Sequence, residues 1–146
     1  MNILTLRRSC VAAIGGFLLA WLVVAAPASA QNPGGSPEAK KVKNPVASSP
    51  ASIAAGAATY KKYCSFCHGD SAKGDGKFAP KGSMPADLTD ATWVRGSTDG
   101  EIHAVILKGA APKFEMKGFE GKMPDTDVWN VVNYLRSIGP AKAAKK

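Results

Sequence analysis

The residues of this chain whose spacing points most clearly to a chemistry are two cysteines and a histidine in the run Cys64-Ser65-Phe66-Cys67-His68. Two thiols at this spacing can each form a thioether with a vinyl group of the same porphyrin. The histidine that follows is then held against one face of the ring, where its imidazole can ligate the iron. The run therefore indicates covalent attachment of one c-type haem through Cys64 and Cys67, with His68 as an axial ligand.

Two other uses of paired cysteines are disfavoured by the rest of the sequence. A thioredoxin-like redox pair needs a surrounding βαβ pattern, and the sequence shows none. A structural zinc site needs four ligands, and beyond the motif the chain offers only Cys10 and His103. Haem attachment is therefore the interpretation that the residues favour.

The N-terminal residues have the pattern of an export signal. Arg7 and Arg8 precede an uncharged apolar run of 17 residues (10–26), and residues 28–30 form an A-x-A cleavage site. We expect residues 1–30 to be a cleaved secretory signal peptide that directs the chain to the periplasm. An uncleaved membrane anchor is the less favoured alternative. Cleavage would leave the mature chain without a membrane span.

The remaining residues divide into three parts by composition. Residues 31–50 contain four prolines and are predicted to be a flexible leader. Residues 51–140 form the predicted domain, and residues 141–146 a lysine-rich tail. The chain has a formal net charge of +8, but the domain has 9 Lys and 2 Arg against 10 Asp and Glu. Because the basic surplus lies in the flanks rather than on the fold, a nucleic-acid partner is not expected.

The domain contains three predicted helices and no alternating pattern typical of a strand. The first is an alanine-rich stretch over residues 52–64. The second begins at a capping box, Thr98-x-x-Glu101, and stops at Gly109. The third covers residues 125–138 and has an apolar face at helical spacing. The sequence therefore predicts an all-α domain with long loops.

Three blocks of sequence identify a known family. They are Ala55-Gly56-x-x-x-Tyr60-Lys61-x-x-Cys64-x-x-Cys67-His68-Gly69 with Gly74-Asp75-Gly76, Pro85-Ala86-Asp87-Leu88-Thr89-Asp90-x-x-Trp93 with Asp99-Gly100-Glu101-Ile102, and Asp127-Val128-Trp129-x-Val131-Val132-x-Tyr134-Leu135-Arg136-Ser137. Over roughly residues 53–139 the chain resembles the small bacterial single-haem class I cytochromes c. The resemblance implies a cytochrome c-like fold wrapped around one covalently bound haem c. It also implies that the first and last helices cross closely at Gly56 and Tyr60.

The resemblance implies a methionine as the sixth iron ligand, in the loop before the last helix and usually followed by proline. The register of the last helix puts Met116 at this position, with Lys117 in place of the proline. Met123, which a proline does follow, is the alternative. Met84 and His103 are further, less favoured candidates.

The resemblance also suggests residues that surround the haem. In the family the carbonyl of a proline fixes the imidazole ligand. We prefer Pro85 to Pro80 here because Leu88 follows as the expected haem-packing residue. Trp93 and Arg95 are candidates for contact with a haem propionate. Plain core packing of Trp93 and an exposed Arg95 are the alternatives.

An iron with both axial positions filled has no place for a substrate, which favours one-electron transfer. We therefore expect an electron-transfer protein rather than an enzyme, with redox proteins and no small molecule as partners. It could act as a free shuttle or as the electron-accepting subunit of a dehydrogenase or respiratory complex. Haem-iron catalysis or gas sensing at an open sixth position is the alternative. Six lysines are predicted to steer docking to acidic partners, unless they are simply solvated: Lys73, Lys77, Lys81, Lys113, Lys117 and Lys122.

Overall fold

The computed structural model describes residues 35–139, which form five helices joined by long loops. The helices are α1 (Pro37–Lys41), α2 (Pro50–Tyr63), α3 (Ser65–His68), α4 (Asp99–Lys108) and α5 (Asp125–Ile138). In this part of the chain the extended pairing is limited to one antiparallel bridge, between Gly109 and Lys117. The all-α prediction is confirmed, and α2, α4 and α5 correspond to the three predicted helices.

Two predictions fall on residues outside this range. The signal peptide (1–30) and the lysine-rich tail (141–146) both lie outside the described residues. Among residues 35–139, every helix is too short or too polar to cross a bilayer.

The most extensive helix packing among the described residues is the crossing of α2 and α5. A Cβ built on Gly56 would lie 2.0 Å from the carbonyl oxygen of Asn130 and 2.9 Å from Cβ of Tyr134. Only glycine permits this approach of the two backbones. One turn along α2, the rings of Tyr60 and Tyr134 pack with their centroids 5.2 Å apart. The predicted crossing at Gly56 and Tyr60 is therefore present.

The core lies between α5, α2 and α4. Val128, Val131, Val132 and Leu135 form the apolar face of α5, and all four are buried. This is the face that the helical spacing of the sequence predicted. Because this buried face anchors α5 in the core, the loop that leads into α5 is anchored at its end as well.

A cluster of three polar and aromatic side chains joins α4 to the start of α5. The imidazole of His103 stacks on Trp129, with ring centroids 3.7 Å apart and planes 12° apart. One oxygen of Asp125 lies 2.7 Å from His103 Nε2, and the other accepts a hydrogen bond from Trp129 Nε1 at 2.8 Å. His103 therefore takes part in the packing of α4 against α5.

The prediction of a flexible leader is wrong for the part of residues 31–50 that the structure describes. Helix α1 packs against the start of α4, where a Cβ on Gly100 would lie 2.1 Å from the carbonyl oxygen of Ala39. Further along, the Asn44 side chain donates hydrogen bonds to the carbonyl oxygen of Trp129 and to Oδ1 of Asn133. No residue between positions 35 and 49 is fully buried, but Val46 packs against the core. The polar contacts of Asn44 are with a backbone carbonyl 85 residues away and a side chain 89 residues away in sequence.

Candidate functional site

A cavity of about 480 Å³ lies between the α2–α3 turn, α4, α5 and the loops before α4 and α5. Its volume is in the range typical of small-molecule and cofactor sites. The cavity is lined by all eight residues that the sequence analysis selected: Cys64, Cys67, His68, Pro85, Leu88, Trp93, Arg95 and Met116. Apolar side chains from the helices complete the walls: Tyr60, Ile102, Val105, Ile106, Val131 and Leu135.

The two cysteines reach the cavity because the chain continues as a helical turn beyond α2. The N–H of Cys64 donates to the Tyr60 carbonyl at 2.8 Å, and the N–H of His68 donates to the Cys64 carbonyl at 2.9 Å. Neither cysteine is in a disulfide. Burial raises the pKa of the Cys64 thiol to about 12, with a smaller contribution from Cys67. Such surroundings disfavour a thiolate and suit an uncharged thioether.

The loop after the motif folds back on it and fixes its shape. The N–H of Gly74 donates to the His68 carbonyl at 2.9 Å, and the N–H of Gly76 donates to the Cys67 carbonyl at 3.1 Å. A Cβ on Gly76 would lie 2.4 Å from the backbone of Cys67, so this position needs glycine. The block Gly74-Asp75-Gly76 therefore holds the backbone of the haem motif.

The imidazole of His68 is oriented by a backbone carbonyl, but not the predicted one. Its Nδ1 lies 3.2 Å from the carbonyl oxygen of Ala86. Since a carbonyl only accepts, Nδ1 carries the proton and Nε2 keeps a lone pair for iron. The choice of a proline carbonyl, Pro85 or Pro80, is wrong. The Pro85 oxygen faces Gly74 instead, where a Cβ would lie 2.1 Å from it.

The protonation state of His68 also suits a metal ligand. Burial lowers the pKa of His68, and its hydrogen bond to Ala86 opposes this shift. Burial is the larger effect, so the neutral imidazole is favoured, which is the form that binds iron.

The candidates for the sixth ligand occupy different places. Met116 lies in the cavity wall, half-buried, and packs against the core. Met123 is 7% exposed in the core and does not line the cavity. Met84 is at the cavity edge but 94% exposed, and His103 is held by Trp129 and Asp125. Met116 is therefore the methionine whose position suits a ligand.

Leu88, Trp93 and Arg95 line the cavity, and each also makes contacts with residues outside it. Leu88 packs against the core, and its N–H donates to the Ala72 carbonyl at 2.8 Å. Trp93 Nε1 donates to the Asp90 carbonyl at 3.2 Å. Nη1 of Arg95 donates to the carbonyl of Ala111, in the loop that carries Met116.

Two residues shape the site in ways that the sequence did not predict: Ala86, and Tyr60, which was expected only at the helix crossing. The hydroxyl of Tyr60 donates to the Gly69 carbonyl at 2.8 Å, directly after the haem motif. Burial raises the pKa of Tyr60, so the phenol stays protonated and remains a donor. Ala86 has no side-chain feature that marks its carbonyl. The signal for Tyr60 was its place in the first sequence block, four residues before Cys64.

Comparison with known families and curated proteins gives consistent matches. The family described as "Cytochrome C oxidase, cbb3-type, subunit III" matches residues 51–135. The cbb3-type cytochrome c oxidase subunit FixP of Bradyrhizobium sp. is 35% identical over 89 residues, which are 61% of this chain and 28% of that protein. FixPc of Rhizobium leguminosarum bv. viciae is 35% identical over 94 residues, 63% of this chain and 30% of that protein. The chain thus spans less than a third of the curated relatives that it matches.

Solved structures share the fold. Cytochrome cL of Methylophaga aminisulfidivorans aligns with a TM-score of 0.52 and 21% identity, covering 62% of this chain and 55% of that one. A reducing HAO-like protein complex of Kuenenia stuttgartiensis aligns with a TM-score of 0.60 and 24% identity, covering 68% and 50%. These alignments confirm the predicted cytochrome c-like fold.

Proposed function

The chain belongs to the cytochrome c family described as cytochrome c oxidase, cbb3-type, subunit III, and on that premise we propose that it is a periplasmic carrier of single electrons between redox proteins. Its cofactor is haem c, as in the rest of the family. One observation carries the proposal: Cys64, Cys67, His68 and Met116 all line the same largely apolar cavity. The periplasmic location is supported by the signal pattern of residues 1–30.

The donors around the cavity fit haem c. Two unpaired thiols on one turn can anchor a porphyrin, and the adjacent imidazole has its Nε2 available. A thioether and apolar walls complete the site. Within residues 35–139, His, Cys, Asp and Glu side chains nowhere gather in groups of three that would hold a separate metal ion.

Each residue of the site has a distinct task in electron transfer. When bound, the haem supplies a reversible one-electron change between Fe(II) and Fe(III). Cys64 and Cys67 anchor it covalently, and Ala86 keeps the His68 ring in a fixed orientation and tautomer. The uncharged thioether of Met116 favours the ferrous state. The apolar walls act in the same direction because they solvate the extra ferric charge poorly.

We infer that the partners are respiratory redox proteins that dock at the cavity mouth. Met84 and Val94 border the cavity and are 94% and 84% exposed, which offers an apolar contact. Lys117 also lines the cavity, and the other five lysines that are predicted to steer docking lie on the loops after the haem motif and around Met116. FixP is by name an oxidase subunit, which supports a respiratory setting for either a shuttle or a subunit.

Stopped-flow kinetics tests both parts of this proposal. The reduced protein should transfer electrons to an acidic redox protein, with a rate constant that falls about tenfold or more between about 10 mM and about 500 mM salt. Replacing Lys113 and Lys117 by Gln should lower the low-salt rate constant. The control Lys41→Gln, in α1 and away from the cavity, should leave it unchanged.

Two results would contradict different parts of the proposal. A fast rate constant that does not depend on salt would reject lysine steering but keep the carrier. Failure to exchange electrons with proteins, together with ready binding of carbon monoxide, would favour catalysis or gas sensing instead.

A further inference from the structure

The loop that carries Met116, residues 109–118 (the ligand loop), lacks the proline that would stiffen it after the methionine. Its base is nevertheless well attached to the end of α4. The N–H of Ala110 donates to the Met116 carbonyl at 2.9 Å, and Gly109 pairs with Lys117 in the antiparallel bridge. Gly118 packs so closely that a Cβ would lie 2.3 Å from the Leu107 carbonyl oxygen. The two ends of the loop are therefore fixed.

Within the tip of the ligand loop, the N–H of Phe114 donates to the Ala110 carbonyl at 2.8 Å, but the backbone there is strained. Phe114 has φ +53°, a left-handed conformation that a residue with a Cβ adopts reluctantly. Its side chain is 43% exposed, so little packing offsets this cost. A contact from another part of the chain would therefore stabilise the closed conformation of the tip.

Arg95 makes such an attachment. Its guanidinium donates to the carbonyl of Ala111, at the start of the tip, while its side chain also lines the cavity. Arg95 lies sixteen residues before Ala111, in the loop between Trp93 and α4. A hydrogen bond from a charged donor in a partly buried place is among the stronger ones in proteins. The contact joins the cavity wall to the ligand loop.

We propose that Arg95 is a positioning residue that keeps the ligand loop closed and Met116 at the sixth iron position. This inference rests on the proposed function, since it needs Met116 as the ligand. A thioether is an uncharged ligand that an outside donor can displace when the loop opens. Arg95 stabilises the closed loop, in which Lys117 rather than a proline follows Met116.

Competition by imidazole for the ferric iron tests this proposal on the haem-loaded protein. Loss of a charged hydrogen bond that closes the loop should raise the apparent affinity for imidazole about 10- to 100-fold in Arg95→Ala. The weak long-wavelength ferric band of methionine sulfur on haem iron should also disappear at a lower temperature than in the natural chain. Arg95→Lys keeps the charge without the planar fork and should give an intermediate affinity. It is also the variant to measure if Arg95→Ala does not accumulate with haem.

The matched control is Arg136→Ala. Arg136 also anchors a loop, through hydrogen bonds to Asp99 and to the carbonyl of Ser97, and its guanidinium lies 5.9 Å from the ring centroid of Trp93. Its hydrogen bonds to described residues do not include the ligand loop. This control should lower stability and leave imidazole affinity within about twofold of the natural chain.

Three results separate the possibilities. An imidazole affinity equal to that of the natural chain in both Arg95 variants would overturn the proposal. This includes the case in which only the midpoint potential of the haem shifts, which is the result that a contact of Arg95 with a propionate alone would produce. An equal rise in Arg136→Ala would also overturn it, because the effect would then be general destabilisation. If the natural protein itself lacks the methionine band, the assignment of Met116 as the ligand has failed, and the proposal for Arg95 is overturned with it.

Discussion

Replacing both Cys64 and Cys67 by alanine should leave no haem on the polypeptide after extraction with acidified acetone, whereas the natural chain should keep all of its haem. Acid breaks the bonds between iron and its ligands but leaves thioethers intact. Both thiols line the cavity, are unpaired, and lie on one helical turn beside the imidazole of His68. The expected effect is all or none because it depends on covalent bonds.

Single variants and a control sharpen this result. Cys64→Ala and Cys67→Ala should each keep haem through one remaining thioether and shift the reduced absorption band to longer wavelength, since one vinyl group stays unsaturated. Cys10→Ala should behave as the natural chain, because Cys10 lies outside the haem motif. Haem retained by the double variant would show that attachment does not use these thiols. The single variants remain decisive if the double variant does not accumulate.

Gly56→Val should lower the free energy of unfolding by about 3 kcal/mol or more. The new side chain would begin 2.0 Å from the carbonyl oxygen of Asn130 and 2.5 Å from its carbonyl carbon. These are backbone atoms, so no rotamer change relieves the clash and α2 must move away from α5. Tyr60 and Tyr134 would then separate, and the wall of the cavity behind the haem motif would loosen.

Denaturant unfolding of the haem-loaded protein, followed by far-ultraviolet circular dichroism, measures this loss. Ala55→Val is the matched control, because Ala55 is the preceding residue of α2 and is exposed. It should cost only the difference in helix propensity, about 0.5 kcal/mol. Equal losses in the two variants would show that the crossing at Gly56 is not close in solution.

The parts of the fold that could be predicted from sequence depend on neighbouring residues. Helix α4 begins where the capping box places it: the Thr98 hydroxyl accepts from the N–H of Glu101, and Glu101 accepts from the N–H of Thr98. Helix α5 covers the predicted range because its apolar face repeats at helical spacing. The haem motif is likewise local, since its three functional groups lie within five residues.

The parts that could not be predicted depend on contacts between distant residues. The leader is held near Asn44 by Asn133 of α5. The Asn133 side chain accepts a hydrogen bond from Asn44 and donates another to the Val46 carbonyl at 3.1 Å. No pattern within the leader reveals such a partner. Which carbonyl orients His68 depends on the directions in which successive backbone carbonyls of the extended chain point. This is why Ala86 has the role that the sequence suggested for Pro85.

The optical spectrum of the natural protein and of Met116→Ala tests the central claim most directly. We predict that the ferric natural protein shows the weak long-wavelength band of methionine sulfur on haem iron, and that Met116→Ala lacks it. The control Met123→Leu should keep the band, since Met123 is in the core and does not line the cavity. A band that persists in Met116→Ala would assign the ligand to another methionine. A natural protein without the band, whose ferrous form binds carbon monoxide readily, would contradict the electron-carrier account.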